Sequence, residues 1–481
     1  MRGVVATGHA EVSEAAARML RAGGNAFDAA LAAGFAAAVA EPMFTSLGGG
    51  GFLLARTAAG REVLFDFFVD TPGRGLPGHG LEPHFLPVTV HFPASDQVFH
   101  VGLGSVAVPG TLRGFLHVHE RLGSLPLRQV VAPASRLARD GVVLNAHQAY
   151  VQELLTPILT LSETGRRIYA AQGRGLRAGE RLLNPELADF LDALPEDRGH
   201  GLYEGALARR IDRDMREGQG LLTEADLAGY RVREREPLAF SYRGHRLLSN
   251  PEPSPGGPLM ARTLALLEKH EVARHRWGSA EHLSALATVM EEVERLRVCP
   301  AAGGTTHVSI CDAAGNAASL SLSNGEGSGY IAPGSGIMLN NMLGEDDLHP
   351  EGFHASLAGE RVGSMMSPTL VLRGDAVCLV AGSGGSKRIR SAMVQVITAV
   401  VDFGLSVREA VEAPRVHWDG QQLQVEPGFD RAVLDALRRS REVNAWSERN
   451  LYFGGVHAVN PAGEGAGDPR RAGHGGVVDA P

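Results

Sequence analysis

Cysteine is scarce in this chain: three in 481 residues, at Cys299, Cys311 and Cys378. An odd number without metal-ligand spacing argues against a disulfide framework or a zinc motif, and the thiols read as small apolar packing groups. Basic runs are missing and the net charge is -8, which argues against nucleic acid or an anionic membrane surface as partner. No apolar stretch is long enough for a bilayer span; the longest, Ala26 to Ala40, is interrupted by Asp28. No basic-then-apolar leader precedes Val4, so a cytoplasmic location is expected. Gly-x-Ser-x-Gly does not occur, and Lys387 lacks Walker A spacing, so serine-elbow and nucleotide-loop readings fall away.

What is present is ordinary globular material, 44% apolar and 21% charged. The length suits two or three average domains or one large two-lobed core. Ser13 is expected to cap a helix to about Ala22, closed by Gly23-Gly24, and Asn25 a second helix, Ala26 to Ala40. Alanine on all sides marks the second helix as buried between layers. Ser46-Leu47-Gly48-Gly49-Gly50-Gly51-Phe52 opens a strand with close backbone packing. Residues 142 to 235 are helical by pattern. Helices to about Glu268 and from about 280 to 297 follow. Thr369 to Leu372 and Ala376 to Ala381 form a hairpin, Gly382 to Arg388 links strand to helix, and Ser406 caps another helix.

A second hairpin draws most attention. Val308, Ile310, Leu320 and Leu322 alternate with small polar residues around an Asp312-Ala313-Ala314-Gly315-Asn316 loop. Centring the loop on Ala314 pairs Cys311 with Ala317, Ser309 with Ser319, His307 with Ser321, and Thr305 with Ser323. One face is then apolar, and the other is a ladder of Thr305, His307, Ser309, Ser319, Ser321 and Ser323. Such a ladder is ordinary on a solvated strand; the alternative is that it faces a site.

Gly303-Gly304-Thr305-Thr306-His307, then Asp312-x-x-Gly315-Asn316-Ala317 and Gly334 to Met342, resemble the start of the small subunit of γ-glutamyltranspeptidases. Gly23 to Ala30, Val108-Pro109-Gly110, Asp226 to Tyr230, Ser364 to Thr369, Tyr452 to His457 and Gly467 to Arg471 extend the resemblance over nearly the whole chain. It implies an α+β fold, the four-layer αββα sandwich of N-terminal-nucleophile hydrolases, which suits the order of strand pairs and helix pairs. It also implies a precursor that cuts itself before Thr305, giving segments 1–304 and 305–481 as large and small subunits of one folded unit. The physical logic is that a threonine hydroxyl is a weak nucleophile without an adjoining base, and a freed α-amine with a pKa of about 8 is such a base.

The resemblance further assigns Thr305 as nucleophile, Ser323 as the group orienting its hydroxyl, and Gly384 and Gly385 as oxyanion donors. Asn324, Glu345 and Ser364 become substrate-binding residues, Glu345 for the α-amine and Ser364 for the carboxylate. No metal or organic cofactor is implied. The partners are a glutathione-like γ-glutamyl donor and water or an amino-acid acceptor. Two departures stand out. Phe68 occupies the position of the arginine that grips the substrate's α-carboxylate, leaving Arg74 and Arg449 as candidate replacements. The segment Leu348 to Val362 is short for a lid loop, which favours hydrolysis over transfer. The alternatives are an amide acylase with another acyl group, similar to cephalosporin acylases, and an uncleaved paralogue that binds without catalysis.

Overall fold

The computed structural model describes residues 1–76, 84–92, 95–295, 304–345, 348–349, 352–353 and 355–480. Cys299 and Gly303 lie outside the described residues, as does the expected helix end at residue 297.

Thirteen strands build two antiparallel sheets. The first contains β1 (Gly3–Thr7), β2 (Gly50–Arg56), β3 (Glu62–Phe67), β4 (Arg233–Arg235), β7 (Thr306–Asp312), β8 (Ala317–Ser323) and β13 (His474–Val478), in the order β13-β1-β7-β8-β2-β3-β4. The second contains β5 (Leu238–Tyr242), β6 (His245–Ser249), β9 (Thr369–Arg373), β10 (Ala376–Gly384), β11 (Gly455–Val459) and β12 (Gly465–Ala466), in the order β12-β11-β10-β9-β6-β5. Helices α1 (Ala10–Arg21) and α2 (Ala26–Ala40) cover the first sheet, with α3 (Thr111–Leu122) and α4 (Leu127–Asp140) behind them. Helix α5 (Ala146–Leu159) stands apart, and α6 (Gly256–Lys269), α7 (Ala280–Glu294) and α8 (Arg388–Val401) cover the second sheet. The layers therefore run helix, sheet, sheet, helix, as expected.

Local chemistry explains most of these elements. Asn25 and Asp28 form a reciprocal capping box at the start of α2, and all fifteen of its residues are buried. Alanine and glycine let neighbours approach closely: a Cβ on Gly34 would lie 2.5 Å from the Phe115 ring of α3. Helix α1 begins earlier than expected. His9, with extended backbone, accepts a hydrogen bond from Glu11 N through its ring and takes the capping role assigned to Ser13. Ser13 sits one turn inside, its hydroxyl 2.7 Å from Thr7 Oγ1 and donating to His474 O at 3.1 Å, so it ties α1 to two strands.

The β7–β8 register matches expectation, with Cys311 opposite Ala317, Ser309 opposite Ser319 and His307 opposite Ser321. Apart from Thr305 and Ser323 at its end, its polar face is neither wet nor part of the site. His307, Ser309, Ser319 and Ser321 are fully buried against the second sheet. Ser319 Oγ donates to Ala381 O at 3.1 Å and accepts from Thr369 N at 3.1 Å, while Ser309 Oγ donates to His457 O at 2.9 Å. The His307 ring bonds Ser321 and Ser309 at 2.8 and 3.0 Å, and burial drives its pKa well down, so it stays neutral. Strand β10 also runs three residues past the expected Ala381, taking Gly382, Ser383 and Gly384 into the sheet opposite the start of β7.

Candidate active site

Thr305 lies one residue before β7, in the middle of the first sheet and 5% exposed. Gly384, at the end of β10, faces it from the second sheet. A Cβ on Gly384 would stand 2.0 Å from Thr305 O and 3.5 Å from Thr305 Cβ, so no larger residue fits. The chain then turns through Gly385 at φ +122° and Ser386 at φ +52° before entering α8. Two successive residues of positive φ aim backbone groups in directions that an ordinary strand end cannot.

Ser323 closes β8 beside Thr305. Its Oγ donates to Gly304 O at 2.5 Å and accepts from Gly325 N at 3.1 Å. Ser323 therefore holds the carbonyl of the Gly304–Thr305 peptide, where the resemblance pointed instead to the Thr305 hydroxyl. Thr305, Ser323, Glu345 and Ser364 all line one pocket, together with Phe68 and Met365. Glu345 is 6% exposed, and its carboxylate lies over Gly325, where a Cβ would come within 2.2 Å of Oε1. Ser364 Oγ accepts from Met366 N at 3.2 Å.

Asn324 is not brought to this pocket. It is buried under the backbone of Gly49 and Gly327, and neither polar atom of its side chain has a partner among the described residues. The alternation of β8 explains this: with Ser323 directed to the site, its neighbour faces the other way.

Neither candidate arginine reaches the pocket. Arg74 packs on Gly229 and Gly359, and Arg449 is bonded to Glu412 O at 3.1 Å. Arg361 lies behind Phe68 instead. Its buried guanidinium donates to Phe68 O at 2.6 Å, Asp66 Oδ1 at 2.8 Å and Tyr230 OH at 3.0 Å, and pairs with Asp70 at 2.8 Å. Those bonds fix the backbone at Phe68, just past β3, and Phe68, Met342, Met365 and Met366 give the pocket its apolar lining.

Two charged residues missed from sequence stand close to Thr305. Arg471 is buried, donates to Thr305 O at 3.4 Å, and lies 4.8 Å over the Phe44 ring. Glu41, the residue capping the C-terminus of α2, accepts from Thr306 Oγ1 at 2.7 Å. Burial raises the Glu41 carboxyl to about 7, with the Thr306 bond and Arg471 pulling the other way; burial lowers Arg471 to about 10. The signal for Glu41 was present as a carboxylate at the end of an apolar helix, but nothing local said that it faced residue 306.

Residues 12–298 and 289–478 match the model of the gamma-glutamyltranspeptidase family. The chain belongs to that family. Glutathione hydrolase proenzyme of Escherichia coli strain K12 is 31% identical to it over 98% of this chain and 90% of that protein. Acylase ACY 1 proenzyme of Pseudomonas sp. strain SE83 is 32% identical over 96% and 90%. The crystal structure of cephalosporin acylase from Bacillus halodurans superposes with a TM-score of 0.81 at 25% identity, covering 98% of this chain and 95% of that one. Family membership therefore spans both lobes of the sandwich and the strand ends that form the pocket. Among the described residues, no helix is long and apolar enough to cross a membrane, and no cluster of His, Cys, Asp and Glu could hold a metal ion.

Proposed function

We propose that the protein is a threonine N-terminal-nucleophile hydrolase that cleaves itself between Gly304 and Thr305, then hydrolyses γ-glutamyl amides such as glutathione. The observation that carries this reading is the meeting of Thr305, Ser323 and Gly384 at facing strand ends beside the pocket containing Glu345. In the first reaction Thr305 Oγ attacks the Gly304 carbonyl, polarised by Ser323, and the C–N bond gives way to an ester. Water releases residues 1–304 as the large subunit and frees the Thr305 α-amine.

In the second reaction that amine takes the hydroxyl proton as Thr305 Oγ attacks the donor amide. The proton passes to the departing nitrogen, and the Gly384–Gly385 backbone stabilises the oxyanion. Removing one such donor typically costs roughly a hundred- to a thousandfold in rate. Glu345 meets the α-amine and Ser364 the carboxylate. Water then resolves the ester; an amino acid can take its place.

The test is the denatured mass of the purified protein beside Thr305→Ala. Two fragments parting at Gly304–Thr305, absent in the variant, are expected; one uncut chain in both would overturn the enzyme reading. Phe68 and the lack of a lining arginine among the described residues favour a second reading, an acylase whose acyl group carries no α-carboxylate. Butyryl and γ-glutamyl anilides separate the two, since butyryl carries neither the α-carboxylate nor the α-amine. Faster turnover of the γ-glutamyl anilide is expected under the first reading.

A further inference from the structure

Three buried arginines gather around Asp468. Arg415 and Arg470 pair with its carboxylate at 2.6 and 3.1 Å. Arg471, the last residue of the 3-10 turn Pro469–Arg471, pairs with no carboxylate among the described residues. A buried cation without a counter-ion is costly, so its retention calls for another role. Its charge is kept at neutral pH, since burial lowers it only to about 10.

The Arg471 side chain reaches strand ends of both sheets. Its stem lies across Gly455, where a Cβ would stand 2.3 Å from Arg471 Cγ, and Gly455 is the register partner of Gly384. Nη2 lies 3.5 Å from the place that a Cβ on Gly385 would occupy, while Nη1 donates to Thr305 O at 3.4 Å. The guanidinium is seated 4.8 Å over the Phe44 ring. One side chain thus meets the residue before β7, the turn between β10 and α8, and the start of β11. That turn needs such a support. Gly385 and Ser386, both at positive φ, lie beyond the last ladder pair of β10 with β11, so strand pairing does not hold them.

We propose that Arg471 is a positioning residue for the Thr305 reaction: it holds the Gly385 turn at a fixed offset from Thr305, so that the backbone donors meet the oxyanion where it forms. The inference rests on the acyl-enzyme reading above. A planar guanidinium suits the task because its donors are held in one rigid fork, which can span two backbones at once. Oxyanion donors act on charge that develops only in the transition state. Displacing them therefore lowers kcat and leaves KM nearly unchanged.

The experiment has a kinetic and a structural arm, each comparing wild type with Arg471→Gln; Arg471→Lys takes its place, under the same criteria, should the first variant fail to fold. The kinetic arm measures kcat and KM on γ-glutamyl or butyryl anilide, per cleaved chain. Arg471→Gln is expected to lower kcat roughly a hundredfold, as a misplacement of about 1 Å does, with KM within about twofold of wild type. The structural arm is a crystal structure of the variant, in which Gly385 is expected to shift from Thr305 by at least about 0.5 Å. Where a chain stays uncut, the structural arm alone decides; an uncut wild type would sink the acyl-enzyme reading and not this one. A kcat within about twofold of wild type, a loss seated in KM, or an unmoved Gly385 would each overturn the inference.

Discussion

At the scale of single residues, Gly384 is a tightly constrained position in the site. Its missing Cβ lets β10 abut the Thr305 carbonyl, where a methyl group would have to stand at 2.0 Å. Gly384→Ala is expected to lower the thermal midpoint, because the methyl has to displace backbone, and to block self-cleavage. Should cleavage survive, turnover is expected to fall by at least roughly a hundredfold; a gel and an anilide assay read the two effects. Ser323 offers a milder handle. Because its hydroxyl holds the Gly304 carbonyl, Ser323→Ala should slow appearance of the two fragments, and Ser323→Thr should restore it. Scission at the wild-type rate in Ser323→Ala would remove the assigned role.

At the scale of elements, the β7–β8 hairpin shows what alternation can and cannot say. Period-two patterning and the Asp-Ala-Ala-Gly-Asn loop set the register, and the apolar face packs under α2. The same pattern left open whether the hydroxyl face meets water, ligand or another sheet. Its partners are backbone groups of residues 381 and 457, far along the chain, and no local signal points to them. Ser319→Ala would strand both Ala381 O and Thr369 N in a dry interface. A loss of about 1–3 kcal/mol, read from urea midpoints, is expected, with little change in the pocket beside Thr305. The extension of β10 through Gly384 has a similar cause, since pairing with β11 (Ser383 with Val456, Gly384 with Gly455) carries a glycine loop into the sheet.

At the scale of the whole molecule, charge links the first helices to the last strands behind Thr305. Glu41 closes α2, Thr306 opens β7, and Arg471 follows the Asp468 turn near the C-terminus. Burial alone would raise Asp468, but Arg415 and Arg470 hold it at about 2, so it stays charged. Glu41 behaves oppositely. Its folded-state pKa lies above the unfolded value, so folding favours the protonated form. Its contribution is full below about pH 4.5, declines as pH rises, and levels off above about pH 7. A shift of that size amounts to about 3 kcal/mol for so buried a group. Glu41→Gln keeps the acceptor for Thr306 and removes the titration. Urea unfolding at pH 5 and pH 8 should show a smaller stability difference in the variant than in wild type; parallel behaviour would contradict the assignment.

The sequence by itself determined the repeating local choices. The α2 cap, the hairpin register, the layer order and the placement of Thr305 at a strand start all follow from short-range patterning and the quoted motifs. Glycine at 384 and 385 was legible because backbone geometry tolerates few substitutes. Only the tertiary structure decided which groups face one another. It buried the serine ladder between sheets, set Arg361 behind Phe68 and not in the site, and brought Glu41 and Arg471 to Thr305 and Thr306. The physical reason is common to all three. A side chain's direction is a local property, whereas its partner is supplied by elements tens to hundreds of residues distant, and desolvation by those elements sets its charge.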